Sequence, residues 1–225
     1  MNLYFRCSLF LSGLLLAGYS TLAQQTKPHD FTRWEPAIAA YEKADLASPP
    51  APGGIVFIGS STILLWKTLA ADFSGYPVIN RGFGGSQIVD AAHFADRIVI
   101  PYRPRQVFLR AGSNDINAGK SPPQVFADFK AFVTRVHSAL PATEVVFIGL
   151  CPAISRWKEA EANRQLNQLV SDYALKSRGV RYLDTYNMAF DADGRPRTDI
   201  FVSDMLHFNS AGYKLLANLV RPALR

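Results

Sequence analysis

Five short apolar runs, each followed by a longer segment of helical periodicity, limit what this chain can fold into more than any other feature of its sequence. The runs lie at residues 55–59, 76–80, 106–111, 144–150 and 180–184. The helical patterns lie at 62–71, 87–100, 123–140, 159–178 and 210–219, the last stopped by Pro222. Strands separated by helix-length segments do not pair as hairpins; they cross over, lie parallel and carry helices on both faces. The first run, Ile55-Val56-Phe57-Ile58, is apolar at every position, as expected of a strand covered on both sides. The sequence therefore predicts one three-layer α/β/α domain around a five-stranded parallel sheet, without internal repeat or second domain. Upstream, Phe31, Trp34, Ile38, Tyr41 and Leu46 recur at helical spacing, and Thr32 with Glu35 reads as a capping box that opens a further helix. The Pro49-Pro50-Ala51-Pro52-Gly53-Gly54 stretch then turns the chain into the first strand.

With 48% apolar and 19% charged residues over 225 positions, the chain can bury a real core, which excludes a disordered or coiled-coil class. Its formal charge of +6 is scattered rather than gathered into a run, so nucleic acid is not an expected partner. Residues 1–23 read as a secretory signal peptide. Arg6 is the only charge before Lys27, an apolar stretch runs from Leu9 to Gly18, and Thr21-Leu22-Ala23 ends in a small residue. That stretch is shorter than the ~20 residues needed to span a bilayer. The expectation is cleavage after Ala23, a flexible lead-in over 24–30, a single domain over 31–225, export to the periplasm or the extracellular space, and no stable membrane insertion. Cys7 falls in the signal, which leaves Cys151 alone and read as a buried small apolar residue rather than a nucleophile.

The segments that follow the strands carry the chemistry. The first strand runs into Gly59-Ser60-Ser61, the second into Asn80-Arg81-Gly82-Phe83-Gly84-Gly85-Ser86, and the third into Ala111-Gly112-Ser113-Asn114-Asp115; near the end comes Asp204-Met205-Leu206-His207. In a parallel sheet the first three open on one edge, where α/β folds bind ligands. Each has an ordinary reading when taken alone: the serines cap a helix, Asn114 and Asp115 make a turn, the glycines form a loop, and His207 packs in a core. The glycine loop lacks the Gly-x-Gly-x-x-Gly spacing of a dinucleotide site. Together they supply a hydroxyl, free backbone N–H groups, a carboxamide, and a base with a carboxylate to orient it, which is what nucleophilic acyl transfer requires. His29, His93 and His137 form no pair at metal-ligand spacing with a carboxylate, so neither metal nor cofactor is expected.

This set, in this order, resembles the SGNH (GDSL-type) hydrolases, and Gly-Ser-Ser with Trp66, Asn80-Arg81-Gly82, Pro152 with Arg156-Trp157, and Asn209-x-x-Gly212-Tyr213 are similar to their platelet-activating-factor acetylhydrolase-like branch. The resemblance implies the flavodoxin-like strand order 2-1-3-4-5. It also implies Ser61 as nucleophile, His207 as general base, Asp204 as its orienting acid, and an oxyanion hole from the N–H of Ser61, the N–H of Gly85 and the amide of Asn114. Gly84 is the second choice for the glycine. Ser60 stands where the family usually has Asp, which leaves two adjacent serines to be told apart. Ser60, Arg81, Arg110, Arg156 and Trp157 are candidate substrate contacts; the arginines could equally be structural and Trp157 could be core. The implied activity is that of an exported serine esterase acting on small acyl, foremost acetyl, esters of carbohydrate or other small molecules. A lysophospholipase or thioesterase for longer acyl chains is the alternative, and a non-catalytic carbohydrate- or cell-wall-binding module a further one. Turnover should need neutral His207 and so fall in acid.

Overall fold

In the computed structural model, which describes residues 29–225, the strands β1 (Ile55–Gly59), β2 (Val78–Gly82), β3 (Gln106–Arg110), β4 (Glu144–Ile148) and β5 (Val180–Leu183) form one sheet. Every pairing is parallel and the order is β2-β1-β3-β4-β5. The expected signal peptide, and residues 24–28 of the lead-in, lie outside the described residues. Residues 31–225 form one compact unit.

All five residues of both β1 and β3 are buried, and the two-residue period of a strand divides their side chains between two cores. Val56, Ile58, Val107 and Leu109 face the core covered by α1 (Glu35–Ala47), α4 (Ile88–Ile98), α6 (Pro122–Ala139) and α7 (Ala160–Ala174). Ile55, Phe57 and Phe108 face the other, covered by Ile63, Trp66, Leu69, Phe73 and the apolar side of α8 (Ser210–Val220). On that side Phe57 stacks on Phe108 at 4.7 Å and on Phe73 at 5.5 Å between ring centroids. Full burial of one such ring is typically worth ~1.5–3 kcal/mol.

Several elements depart from the sequence expectation for local reasons. The segment 62–71 is not one helix but two short ones, α2 (Ser61–Leu64) and α3 (Leu69–Asp72). Its buried residues Ile63, Trp66 and Leu69 recur every third position, and the N–H groups of Trp66 and Leu69 bond back three residues, the tighter winding of a 3-10 turn. The first helix does not open with a Thr32–Glu35 box: a 3-10 turn over Thr32–Trp34 precedes α1, and the Glu35 carboxylate instead takes Arg97 of α4 at 2.7 and 2.9 Å. β2 runs two residues further than expected, through Arg81 to Gly82. A short helix, α5 (Ser113–Asn117), follows β3, and a 3-10 stretch over Ile154–Glu159 precedes α7.

The register sets the stage for the site. Gly59 lies level with Gly82 on one side and Arg110 on the other, so the segments after β1, β2 and β3 leave the sheet at one height.

Candidate active site

The first turn depends on Gly59. Its φ is +148°, and a Cβ there would stand 2.0 Å from the carbonyl oxygen of Arg110, so only glycine lets the chain leave β1 this close to β3. The N–H of Ser60 then donates to that carbonyl at 3.1 Å, and Ser61 opens α2. At the first helical position its N–H has no acceptor within the helix. Of the two serines it is Ser61 whose Oγ meets His207 Nε2, at 2.9 Å; Ser60 is buried beside it.

The segment carrying His207 is folded around one carboxylate. Asp204 Oδ1 accepts the N–H groups of Leu206 (2.8 Å) and His207 (2.9 Å), with Met205 between them at φ +54°, and Oδ2 lies 2.7 Å from His207 Nδ1. These bonds, the His207 N–H foremost, hold the Asp204 carboxyl down at about 2. A carboxylate can only accept, so it fixes the imidazole proton on Nδ1 and leaves the Nε2 lone pair toward Ser61. The segment is pinned at its far end. Asn209 caps α8 by accepting the N–H groups of Ala211 and Gly212, while its own amide donates to the carbonyls of Asp199 (2.8 Å) and Phe201 (3.0 Å). Tyr213 donates its hydroxyl to the carbonyl of Thr62 at 3.0 Å, tying α8 to the helix that carries Ser61. The Asn209-x-x-Gly212-Tyr213 block thus has a physical task that sequence spacing alone does not reveal.

Asn114 shares the cleft with His207, and the glycine loop after β2 passes beside Ser61. Asn114 Nδ2 donates to the Ser86 carbonyl at 3.0 Å, and its Oδ1 accepts Arg156 Nη1 at 3.0 Å. The same guanidinium nitrogen reaches Ser113 Oγ at 3.1 Å. Because Arg156 has no acceptor to offer, it fixes which end of the carboxamide is the donor. Asp115, fully buried, accepts the N–H of Ile88 at the start of α4 and a longer contact from Lys120 at 3.4 Å. Burial pushes its carboxyl up to about 6, against the opposing pull of Lys120. Two consecutive side chains after β3 therefore brace the loop after β2 and the helix that follows it. In that loop a Cβ on Gly84 would lie 4.0 Å from Ser61 Cβ. Gly85, at φ +77°, turns toward Trp34 and Arg33. Among the described residues the N–H groups of Gly84 and Gly85 donate to no protein acceptor.

These groups meet in a cleft with about 50 Å³ of water-accessible space, lined by Ser60, Ser61, Arg110, Asn114, Arg156 and His207 among others. Arg110 lies buried in its wall, donating to the Gly149 carbonyl, to Thr185 Oγ1 at 3.1 Å and to Cys151 Sγ at 3.4 Å, with Phe208 5.6 Å from its guanidinium. Cys151 is buried as expected, but against a cation rather than in purely apolar surroundings. Two of the five candidate contacts stand elsewhere. Arg81 ion-pairs with Asp45, donates to the Tyr102 hydroxyl at 2.9 Å and lies against the rings of Tyr41 and Tyr102, so it joins β2 to α1 and to the 3-10 turn over Ile100–Tyr102. Trp157 is 37% exposed and packs edge-on against Phe190, neither core nor cleft wall. Among the described residues no group of His, Cys, Asp and Glu could hold a metal ion.

The sequence profile of the GDSL-like Lipase/Acylhydrolase family matches residues 59–215. No curated protein sequence matches the chain. Among solved structures, a Streptococcus pneumonia protein provisionally named a platelet activating factor is 20% identical, with a TM-score of 0.74 over 86% of this chain and 94% of its own. A Bacteroides fragilis protein provisionally named an acylhydrolase is 23% identical, with a TM-score of 0.70 over 82% and 94%. A variant of an acetyl-xylooligosaccharide esterase from Geobacillus is 16% identical, with a TM-score of 0.60 over 76% and 94%. At these identities the likeness is one of fold. The family match spans most of the chain, from the glycine that ends β1 into α8, and by it the chain belongs to the GDSL-like lipase/acylhydrolase family and is a carboxylic ester hydrolase.

Proposed function

We propose that this hydrolase is an exported serine esterase that removes small acyl groups, acetyl foremost, from carbohydrate through an acyl-enzyme. The reading is carried by the line of contacts from Ser61 Oγ to His207 Nε2 (2.9 Å) and from His207 Nδ1 to Asp204 (2.7 Å). In this mechanism Ser61 Oγ attacks the ester carbonyl carbon as its proton passes to Nε2, and Asp204 stabilises the imidazolium. The negative oxygen is met by the N–H groups of Ser61 and Gly85, with Gly84 as its neighbour, and by the second amide hydrogen of Asn114. The leaving alkoxide takes the proton back from His207, and a water deprotonated by the same nitrogen then releases the acid from Ser61.

Two observations support small acyl groups and sugar esters. The cleft beside Ser61 is small, with about 50 Å³ of water-accessible space, which suits a short acyl group better than a long chain. One structural neighbour is named an acetyl-xylooligosaccharide esterase. Export rests on the signal-like residues 1–23, and the N-terminal sequence of protein recovered outside the cytoplasm, expected to begin at Gln24, tests it.

The deciding experiment is hydrolysis of p-nitrophenyl acetate by the protein beside Ser61→Ala and Ser60→Ala, with fluorophosphonate labelling of each. Ser61→Ala alone should lose turnover and label. Parental activity in both variants would take the nucleophile's role from Ser61, and no activity in the parent would move the reading to a binding module. A rate that rises along a series of p-nitrophenyl esters of lengthening acyl chain would favour the lysophospholipase or thioesterase alternative.

A further inference from the structure

Among the described residues, two arginines and no acid line the cleft around Ser61, while the carboxylate of Asp204 is engaged by His207 behind it. Elsewhere in the described chain, Arg81 pairs with Asp45, Arg97 with Glu35 and Glu42, Arg181 with Glu144 and Arg197 with Asp199, while the half-buried Arg105 bonds backbone oxygens at the other end of the sheet. Among the described residues Arg110 and Arg156 form no ion pair. Arg110 is only 5% exposed, and its acceptors are a carbonyl, a hydroxyl and a thiol, all neutral. Arg156 is half-buried; one of its nitrogens holds Asn114 and Ser113, while Nε and Nη2 donate to no described residue. An uncompensated buried cation is costly, and a low-dielectric wall strengthens its field. A resting site with two such charges is complementary to an anion brought by the substrate.

We infer that the substrate carries a negative group, a carboxylate by its chemistry, on the alcohol portion of the ester. The inference rests on the esterase reading above and narrows its substrate class to acylated acidic sugars. The cleft beside Ser61 is small and Arg156 is part of its lining, so the negative charge is placed on the alcohol portion, within reach of that guanidinium. There the free Nε and Nη2 hydrogens form a planar fork that matches a carboxylate. Arg110 adds a fixed charge from the wall without needing to touch the ligand.

The test compares kcat/KM for an O-acetylated methyl glucuronoside and the matching O-acetylated methyl glucoside, which differ in a carboxylate against a hydroxymethyl group. p-Nitrophenyl acetate serves as a neutral control, and the full chain is used with Arg156→Gln and Arg156→Lys. Both sugar rates fall together if Arg156→Gln only disturbs Asn114, so the ratio between them isolates the charge. A hydrogen bond to a charged group is worth roughly tenfold to a hundredfold, so the parent should prefer the uronate by at least about tenfold. The preference should shrink as salt is raised, survive in part in Arg156→Lys, and fall near one in Arg156→Gln. Control turnover with a parent ratio of one or less, with no uronate turnover, or with a ratio unmoved in Arg156→Gln overturns the inference and leaves the esterase standing. Absence of turnover on every ester overturns the esterase reading and this inference with it.

Discussion

Replacing Asp115 by Asn should make the protein's stability respond to pH differently, by an amount the structure sets. The Asp115 carboxyl is fully buried, with its proton lost at about 6 rather than at the ordinary 3.8, chiefly because burial disfavours the charge. Between those values the folded chain holds a proton that the unfolded chain has released, so stability falls as pH rises from about 4 through 6. The gap corresponds to about 3 kcal/mol, nearly all of it lost by pH 8. The carboxamide of Asp115→Asn cannot ionise, yet it keeps an acceptor for the Ile88 N–H at the start of α4. The variant therefore carries no such pH dependence, whatever fixed cost its new amide hydrogens bring beside Lys120. Urea unfolding of parent and Asp115→Asn at pH 4 and pH 8 measures the difference between them at each pH, in which all other shared titrations cancel. That difference should move by about 2–3 kcal/mol in favour of the variant on going to pH 8. A movement under about 1 kcal/mol, or one in favour of the parent, would refute the account of Asp115 as a charge held at a cost to brace the glycine loop.

Further outcomes follow from the same geometry. Asn114→Ala should lower kcat on p-nitrophenyl acetate by about 10²–10³ while leaving fluorophosphonate labelling of Ser61 detectable, since one oxyanion donor is removed and the nucleophile is kept; a loss under tenfold would remove Asn114 from that role. Gly59→Ala should yield no soluble folded protein by circular dichroism, because its Cβ would meet the Arg110 carbonyl at 2.0 Å and no side chain can rotate out of the way. Tyr213→Phe, which removes the bond to the Thr62 carbonyl, should cost about 1 kcal/mol in urea unfolding and lower kcat more than it raises KM.

The sheet was legible in the sequence because its signal is local: fully apolar runs such as 55–58 suit strands buried on both faces, and the helix-length spacers dictate parallel pairing. Ser61, Asn114, Asp204 and His207 stood out as candidates by their order, the first two just after predictable strand ends, and the structure brings Ser61, His207 and Asp204 within hydrogen-bond reach of one another. What escaped depends on partners distant in sequence. Arg81 looked like a loop residue at the sheet edge, but Asp45 and Tyr102, 36 and 21 positions away, draw it into β2 as a buried tie. Asp115 looked like a turn residue until α4 closed over it. The break after α2 is written in the three-residue spacing of Ile63, Trp66 and Leu69, which a search for 3.6-residue periodicity passes over. Trp157 gave no local sign of whether it faced core, cleft or solvent.

Ser61 and His207 are 146 positions apart, and what seats the second against the first is the packing of α8 under the aromatic cluster. Trp66 sits in that cluster, 5.5 Å from the Tyr213 ring and 5.9 Å from Phe57, fully buried. With Trp34 of the opposite core and Trp157 of the surface each replaced by Phe, Trp66 would be the one indole left to report. The protein therefore carries its own fluorescent gauge of site assembly, in which indole emission from Trp66 tracks the arrival of the C-terminal helix and, with it, of the base at its serine.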